Sequence, residues 1–182
     1  MDTLLSFMND NTSISTFPTM IQYNQLENIK NVTNTSRLAW CYGDLSSAYV
    51  LLEAAQTLND SSSYNKAISI AIQTTKRKTL EETSVIDAGI CHGSSGLALM
   101  YILLHRKTKI QDFQDAADFW IQDTLDKAIH EDGLAGFKAW QGQEYGGWIN
   151  EYGLLEGVAG IGLVLLTYLN PEIPAWYRCL LL

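Results

Sequence analysis

Gly89-Ile90-Cys91-His92-Gly93-Ser94-Ser95-Gly96-Leu97-Ala98-Leu99-Met100-Tyr101-Ile102-Leu103-Leu104 is the stretch whose reading decides the fold. Its second half has helical spacing, with Leu97, Met100, Tyr101 and Leu104 at i, i+3, i+4 and i+7. Ala98, Leu99, Ile102 and Leu103 fill the other faces, and a helix apolar all round is a buried one. Its first half is a turn that carries a thiol and an imidazole between glycines. Helix neighbours point about 100° apart. Cys91 and His92 can therefore face one ion only where the backbone is irregular, which Gly89 and Gly93 permit.

The arrangement recurs. Trp40-Cys41-Tyr42-Gly43 precedes the apolar pattern of Leu45, Ala48, Tyr49 and Leu52, and Leu154-Leu155-Glu156-Gly157 precedes Ile161 to Leu169. Gly43, Gly93 and Gly157 lie 50 and then 64 residues apart, which reads as one supersecondary unit used three times. Amphipathic helices alternate with these buried ones. Phe113, Ala116, Ala117 and Trp120, continued by Leu125 and Ala128, mark one inner face, and Ala67, Ile70 and Ala71 mark a weaker one within Ser63 to Thr75. Inner and outer helices in alternation, with little strand signal, predict an all-α fold of helical hairpins around an axis.

Two segments fall outside that pattern. Residues 1–16, with Asn, Ser and Thr crowded from Asn9 to Thr16, read as loop or disorder within a single domain spanning residues 1–182. Gly133 to Gly157 holds seven glycines among Phe137, Trp140, Tyr145 and Trp148, with a short hairpin expected near Gln141-Gly142-Gln143. Such an aromatic loop either fills a gap over the core or grips a peptide.

A chain of 182 residues, 47% hydrophobic, can bury one core. With 12 basic and 20 acidic residues its charge of −8 argues against nucleic acid or an anionic membrane as partner. The longest apolar run, Leu97 to Leu104, is too short for a transmembrane segment. The first ten residues carry no basic region, so no signal peptide and a cytoplasmic location are expected. Without secretion, triplets such as Asn31-Val32-Thr33 carry no meaning. Three cysteines in such a chain argue against a disulfide framework and leave thiols for metal.

Cys41, Cys91 and His92 form the candidate metal set. Hairpins around a common axis would bring Cys41 beside the other two. Two thiolates and an imidazole suit zinc, and three protein ligands leave the fourth position for water or substrate. A thiol bound there would lose its proton and become a nucleophile. The competing reading is that of ordinary buried cysteines. Cys179 lacks the turn context and reads as a plain thiol. His105 and His130 read as surface histidines near helix ends. Glu156 holds the slot equivalent to His92, pointing toward the site or stabilising a helix N-terminus. The run from Gly157 to Gly162 lacks the preceding strand of a nucleotide loop.

Ser36-Arg37-Leu38-Ala39-Trp40-Cys41-Tyr42-Gly43-Asp44-Leu45, Cys91-His92-Gly93-Ser94-Ser95-Gly96-Leu97 and Leu154-Leu155-Glu156-Gly157-Val158-Ala159-Gly160-Ile161-Gly162-Leu163 resemble the signature blocks of the lanthionine synthetase C family. The tail from Pro174 to Leu182 is also similar to that family's ending, and the likeness runs from about Phe17 onward. The resemblance implies a partial α/α toroid, about three of seven hairpins, with Zn2+ on Cys41, Cys91 and His92. It implies cyclisation of a dehydrated precursor peptide, a cysteine thiol adding to dehydroalanine or dehydrobutyrine. Arg37 and Tyr42 match positions that line the active site and position substrate or manage the enolate. Read without the family, they serve equally as a surface salt bridge and a packing aromatic.

The chain resembles only the C-terminal half of such proteins, and nothing in it matches the histidine and acidic residue that the upstream half supplies for proton transfer. A fragment, a truncated reading frame and half of a split enzyme all fit, with zinc binding expected to survive and cyclase activity in question. The alternative is a non-catalytic zinc- or thiol/glutathione-binding module. Expected partners are the precursor peptide or a small thiol, and a dehydratase or exporter. A ring cut open exposes apolar ends, so self-association or pairing with a missing N-terminal half is expected. Analytical ultracentrifugation checks this, and a clean monomer at high concentration would refute it.

Overall fold

The computed structural model describes residues 2–9, 14–21 and 35–182, and the Asn31-Val32-Thr33 triplet lies outside them. Seven α-helices are present among the described residues: α1 (Asp2–Leu5), α2 (Asp44–Leu58), α3 (Ser61–Thr74), α4 (Leu80–Thr83), α5 (Ser94–Thr108), α6 (Gln111–Asp126) and α7 (Val158–Leu169). Two strands, β1 (Ala139–Trp140) and β2 (Trp148–Ile149), pair antiparallel with Ala139 opposite Ile149 and Trp140 opposite Trp148. The chain divides into two compact units, Met1–Ser84 and Val85–Leu182. The fold is all-α, and α1 is a single turn of helix in the segment read as loop.

In the first unit α2 packs along α3. Leu45, Ala48, Tyr49 and Leu52 are buried on α2, and Ala67, Ile70 and Ala71 on α3, as the spacing predicts. The turn between them is set by Asn59, left-handed at φ 55°, and by Asp60, whose carboxylate caps α3 by accepting from the Ser62 and Ser63 N–H groups. Asn tolerates the left-handed region better than most residues, and Asp is a preferred N-cap.

A buried ion pair ties the rest of this unit to the start of α2. Asp44, 1% exposed, accepts from the Thr16 and Phe17 N–H groups at 2.8 Å each and from Arg77 Nη1 at 3.0 Å. Arg77, 4% exposed, also donates to the Ser36 and Glu82 carbonyls. Burial pushes the Asp44 carboxyl above the ordinary range, and the two backbone N–H groups and Arg77 pull against it.

In the second unit α5 is buried from Ser94 to Leu104 between α6 and α7. Facing it, α6 buries Phe113, Ala116, Ala117, Trp120, Ile121 and Thr124. Leu125 and Ala128, expected to continue that face, are exposed instead. At 100° per residue the stripe through Phe113, Ala117 and Trp120 continues to Thr124, and Leu125 has turned past it. The outer face is laced by Gln-to-Asp pairs four apart, such as Gln114 with Asp118 at 2.7 Å.

Helix α7, expected to be buried all round, buries only Gly160, Ile161, Val164 and Thr167. Its described helical partner is α5, so Leu166 and Leu169 stand 52% and 76% exposed. The tail returns over it, with Trp176 Nε1 donating to the Thr167 hydroxyl at 2.8 Å.

Arg77→Met is expected to lower stability by about 3–5 kcal/mol at neutral pH, because it strands a buried charge. The deficit should narrow in mild acid. Without Arg77 the Asp44 carboxyl titrates higher still in the folded state than in the unfolded one. The proton then stabilises the fold fully below the unfolded value, and the benefit is lost as pH rises through the folded value. Urea midpoints at neutral and mildly acidic pH check both statements, and a deficit that grew in acid would refute the second.

Candidate metal centre

In the second unit Cys91 and His92 sit in a turn that ends where α5 begins, both half-buried. Ile90, fully buried, anchors this turn to the core. The Cys91 N–H donates to the Leu155 carbonyl at 2.8 Å, and the Ser94 N–H donates back to the Asp87 carbonyl at 3.1 Å. Asp87, 3% exposed, holds the turn through its carboxylate. One oxygen accepts from the Gly89 N–H at 3.1 Å and the other from the Trp140 N–H at 2.9 Å. Cys91 and His92 therefore lie on irregular backbone, which facing one ion from adjacent positions would require.

The glycines are dictated by close backbone approach. A Cβ on Gly93 would fall 2.4 Å from the Asp87 carboxylate and 2.4 Å from the Gly89 nitrogen, and one on Gly96 would fall 1.9 Å from the Ile90 carbonyl oxygen. The third repeat reproduces this 64 residues on. There, Gly157 would meet the Gly153 nitrogen at 2.3 Å and Gly160 the Leu154 oxygen at 1.9 Å. Val158 N–H donates to the Glu151 carbonyl at 3.1 Å, and Gly153 N–H to the Glu151 carboxylate at 3.0 Å. Asp87 and Glu151 thus do the same work. Both are absent from the sequence reading, although their common offset from Gly93 and Gly157 was there to be found.

The two turns also lie against each other, since a Cβ on Gly89 would stand 3.1 Å from the Glu156 Cα. Glu156 accepts from Gln141 Nε2 at 2.7 Å, so this carboxylate is engaged by the strand hairpin. His105 is half-buried with Nδ1 3.0 Å from the Ile110 carbonyl, and the His130 ring lies against Trp148 at 4.6 Å. Cys179 is exposed on a 3-10 helix at Trp176–Leu180.

In the first unit Cys41 is exposed in the turn before α2, and Gly43 closes that turn at φ 99°, a conformation that favours glycine. A Cβ there would fall 2.2 Å from the Arg37 carbonyl oxygen. Arg37 donates from Nη2 to the Ser84 carbonyl at 2.7 Å. Tyr42, 41% exposed, borders a groove of about 330 Å³ lined by Phe7, Phe17, Pro18 and Met20. Cys41, Arg37 and Tyr42 thus share one short segment, while Cys91 and His92 share another.

A sequence model of the lanthionine synthetase C-like protein family matches residues 1–181. The chain belongs to that family. Among solved structures it is similar to one described as nisin cyclase, with a TM-score of 0.65 and 25% sequence identity over 88% of this chain. It spans 36% of the length of that structure. The all-α fold of the described residues is accordingly that of a lanthionine synthetase C-like protein. Among the described residues no helix is long and apolar enough to cross a membrane.

Gly93→Ala is expected to cost about 1–3 kcal/mol or more, because its Cβ meets backbone that cannot step aside. Gly162→Ala, in α7 with nothing within 4 Å of the new Cβ, is expected to gain up to about 1 kcal/mol. Denaturation midpoints of the two variants beside wild type check the contrast, and equal effects would refute it.

Proposed function

We propose that this chain is the zinc-bearing portion of a cyclase that adds peptide cysteine thiols to dehydroalanine or dehydrobutyrine, forming lanthionine or methyllanthionine rings. Cys41, Cys91 and His92 would hold the ion. The observation that carries the reading is the adjacent Cys91 and His92 on the irregular turn that opens α5, which lets a thiol and an imidazole face one ion. Family membership supports it. The donor set fits as well, since two thiolates and an imidazole are ligands zinc takes readily, and three of them leave a position for substrate. Zinc bound there lowers the pKa of an incoming thiol, so that a thiolate is present at neutral pH.

The sulfur–carbon bond then forms at Cβ of the dehydro residue, its double-bond pair moves to Cα as an enolate, and a proton returns to Cα. Arg37, tethered at Ser84, is proposed to present its remaining N–H groups to the enolate oxygen, where preorganised donors contribute most. Tyr42 is proposed to orient the peptide from the rim of the apolar groove. The similarity to nisin cyclase supports a peptide as substrate. A dehydratase, an exporter and a complementary N-terminal half belong to the same reading as partners, and the cytoplasm as location. The second reading is a non-catalytic zinc- or thiol/glutathione-binding helical module, which needs the same thiol and imidazole donors and none of the addition chemistry.

Metal content by mass spectrometry tests the site. About one zinc per chain is expected in wild type and in Cys179→Ala, falling severalfold in Cys41→Ala, Cys91→Ala and His92→Ala. Ring formation leaves mass unchanged, so it is read as loss of alkylatable thiol from a dehydrated, cysteine-containing peptide. Zinc without thiol loss selects the second reading, and folded wild type without zinc refutes the cyclase and leaves only the thiol-binding form of the second.

A further inference from the structure

The strand hairpin carries aromatics that the core does not use. Phe137 joins the buried cluster with Ala88 and Ile161, whereas Trp148 is 37% and Tyr145 78% exposed. The Trp148 ring lies 5.2 Å from Trp140 and 4.6 Å from His130, which fixes it as a surface platform. Packing therefore accounts for Phe137 and for the covered part of Trp148, and leaves the open part of the Trp148 ring and most of Tyr145 to solvent.

This platform is fastened to the ligand turn from two sides. Asp87 bridges the Trp140 and Gly89 N–H groups, and Gln141 holds Glu156, whose neighbour Leu155 accepts from the Cys91 N–H. A side chain resting on the hairpin is thereby held at a fixed offset from Cys91 and His92. The charge of the segment selects the kind of side chain. Residues 139–157 contain Glu144, Glu151 and Glu156 and no lysine or arginine. Glu151 is spent on the Tyr152 and Gly153 N–H groups and Glu156 on Gln141, while Glu144 stands exposed beside Tyr145 at the hairpin tip. An aromatic face next to a carboxylate takes a long cationic side chain, its stem on the ring and its charge on the acid.

We infer that the Trp140–Trp148 hairpin is a subsite for a lysine or arginine of the peptide substrate, flanking the thiol that reacts at the Cys91–His92 turn. The inference rests on the peptide-cyclase reading for the identity of the occupant. The chain's overall charge of −8 draws the same kind of ligand.

The test uses the whole zinc-supplemented protein and two labelled synthetic peptides of equal length, one cysteine flanked by lysines in the first and by glutamates in the second. Fluorescence anisotropy is expected to show the lysine peptide binding about tenfold more tightly, a preference that shrinks as salt rises. Tyr145→Ala and Glu144→Gln are each expected to cut that preference about threefold to fivefold while zinc content and helical circular dichroism stay at wild-type levels. Both substitutions are at exposed positions, so folding does not confound them. Equal affinity for the two peptides, or a preference that survives in both variants, overturns the inference. A lysine preference in a protein that takes up no zinc would sink the cyclase reading and leave the cationic subsite standing.

Discussion

The constraint on which the second unit depends is the approach of backbone to backbone at the entrance of each buried helix. At Gly96 and at Gly160 the preceding turn's carbonyl oxygen comes within 1.9 Å of where a Cβ would stand, and at Gly93 and Gly157 a backbone nitrogen comes within 2.4 Å. No other residue allows such a turn to fold tightly back on its helix. That proximity sets Cys91 and His92 on irregular backbone at the mouth of α5. It also lets α7 cross close to Ile90, whose Cδ1 would lie 2.8 Å from a Cβ on Gly160. Close packing of the helices and the placing of Cys91 and His92, half-buried, at the helix mouth thus have one cause.

Much of this was legible because the physics is periodic. The inward residues of α2, α3 and α5 follow from apolar spacing alone, and the turn at Cys91 and His92 follows from two bracketing glycines. The misreadings are physical as well. Leu125 is apolar but lies off the buried stripe, and Thr124, polar yet on the stripe, goes inward by donating to the Trp120 carbonyl and the Ser94 hydroxyl. Composition predicted a buried α7, but composition does not say what covers a helix. Asp87 and the Asp44–Arg77 pair escaped because a lone charge in sequence reads as surface. Only the fold reveals which backbone N–H groups lacked a partner and needed a carboxylate.

The three repeats are less alike than their aligned glycines suggest. The second and third share an acid, a glycine two residues on, and glycines at the same two later positions, namely Asp87, Gly89, Gly93 and Gly96 beside Glu151, Gly153, Gly157 and Gly160. The first keeps only Gly43, with Arg37, Ala39 and Ser46 at the other places. Its glycine takes φ 99°, where Gly93 and Gly157 take −104° and −107°. Without an acid at the position equivalent to Asp87, the first turn has longer-range ties, among them the Leu38 N–H to the Thr83 carbonyl at 3.0 Å and the Asp44–Arg77 network. A turn built from distant segments is more exposed to their loss than one built from its own side chain.

Comparison of α5 with α7 separates the turn from the helix that follows it. One helix is buried along most of its length and the other leaves Leu166 and Leu169 open, yet their entrance turns share the bonds from the acid's carboxylate and carbonyl and the close approaches of the last two glycines to backbone. The turn is therefore encoded locally, by an acid and three glycines, and does not need a fully covered helix behind it. Within that frame the two positions before the last turn glycine are not fixed by the backbone, and they hold Cys91 and His92 in one copy and Leu155 and Glu156 in the other. Chemistry can change at those positions without disturbing the scaffold, which is how a site is grafted onto a repeated fold. The two copies are also tied to each other through backbone alone, the Leu155 carbonyl accepting from the Cys91 N–H at 2.8 Å.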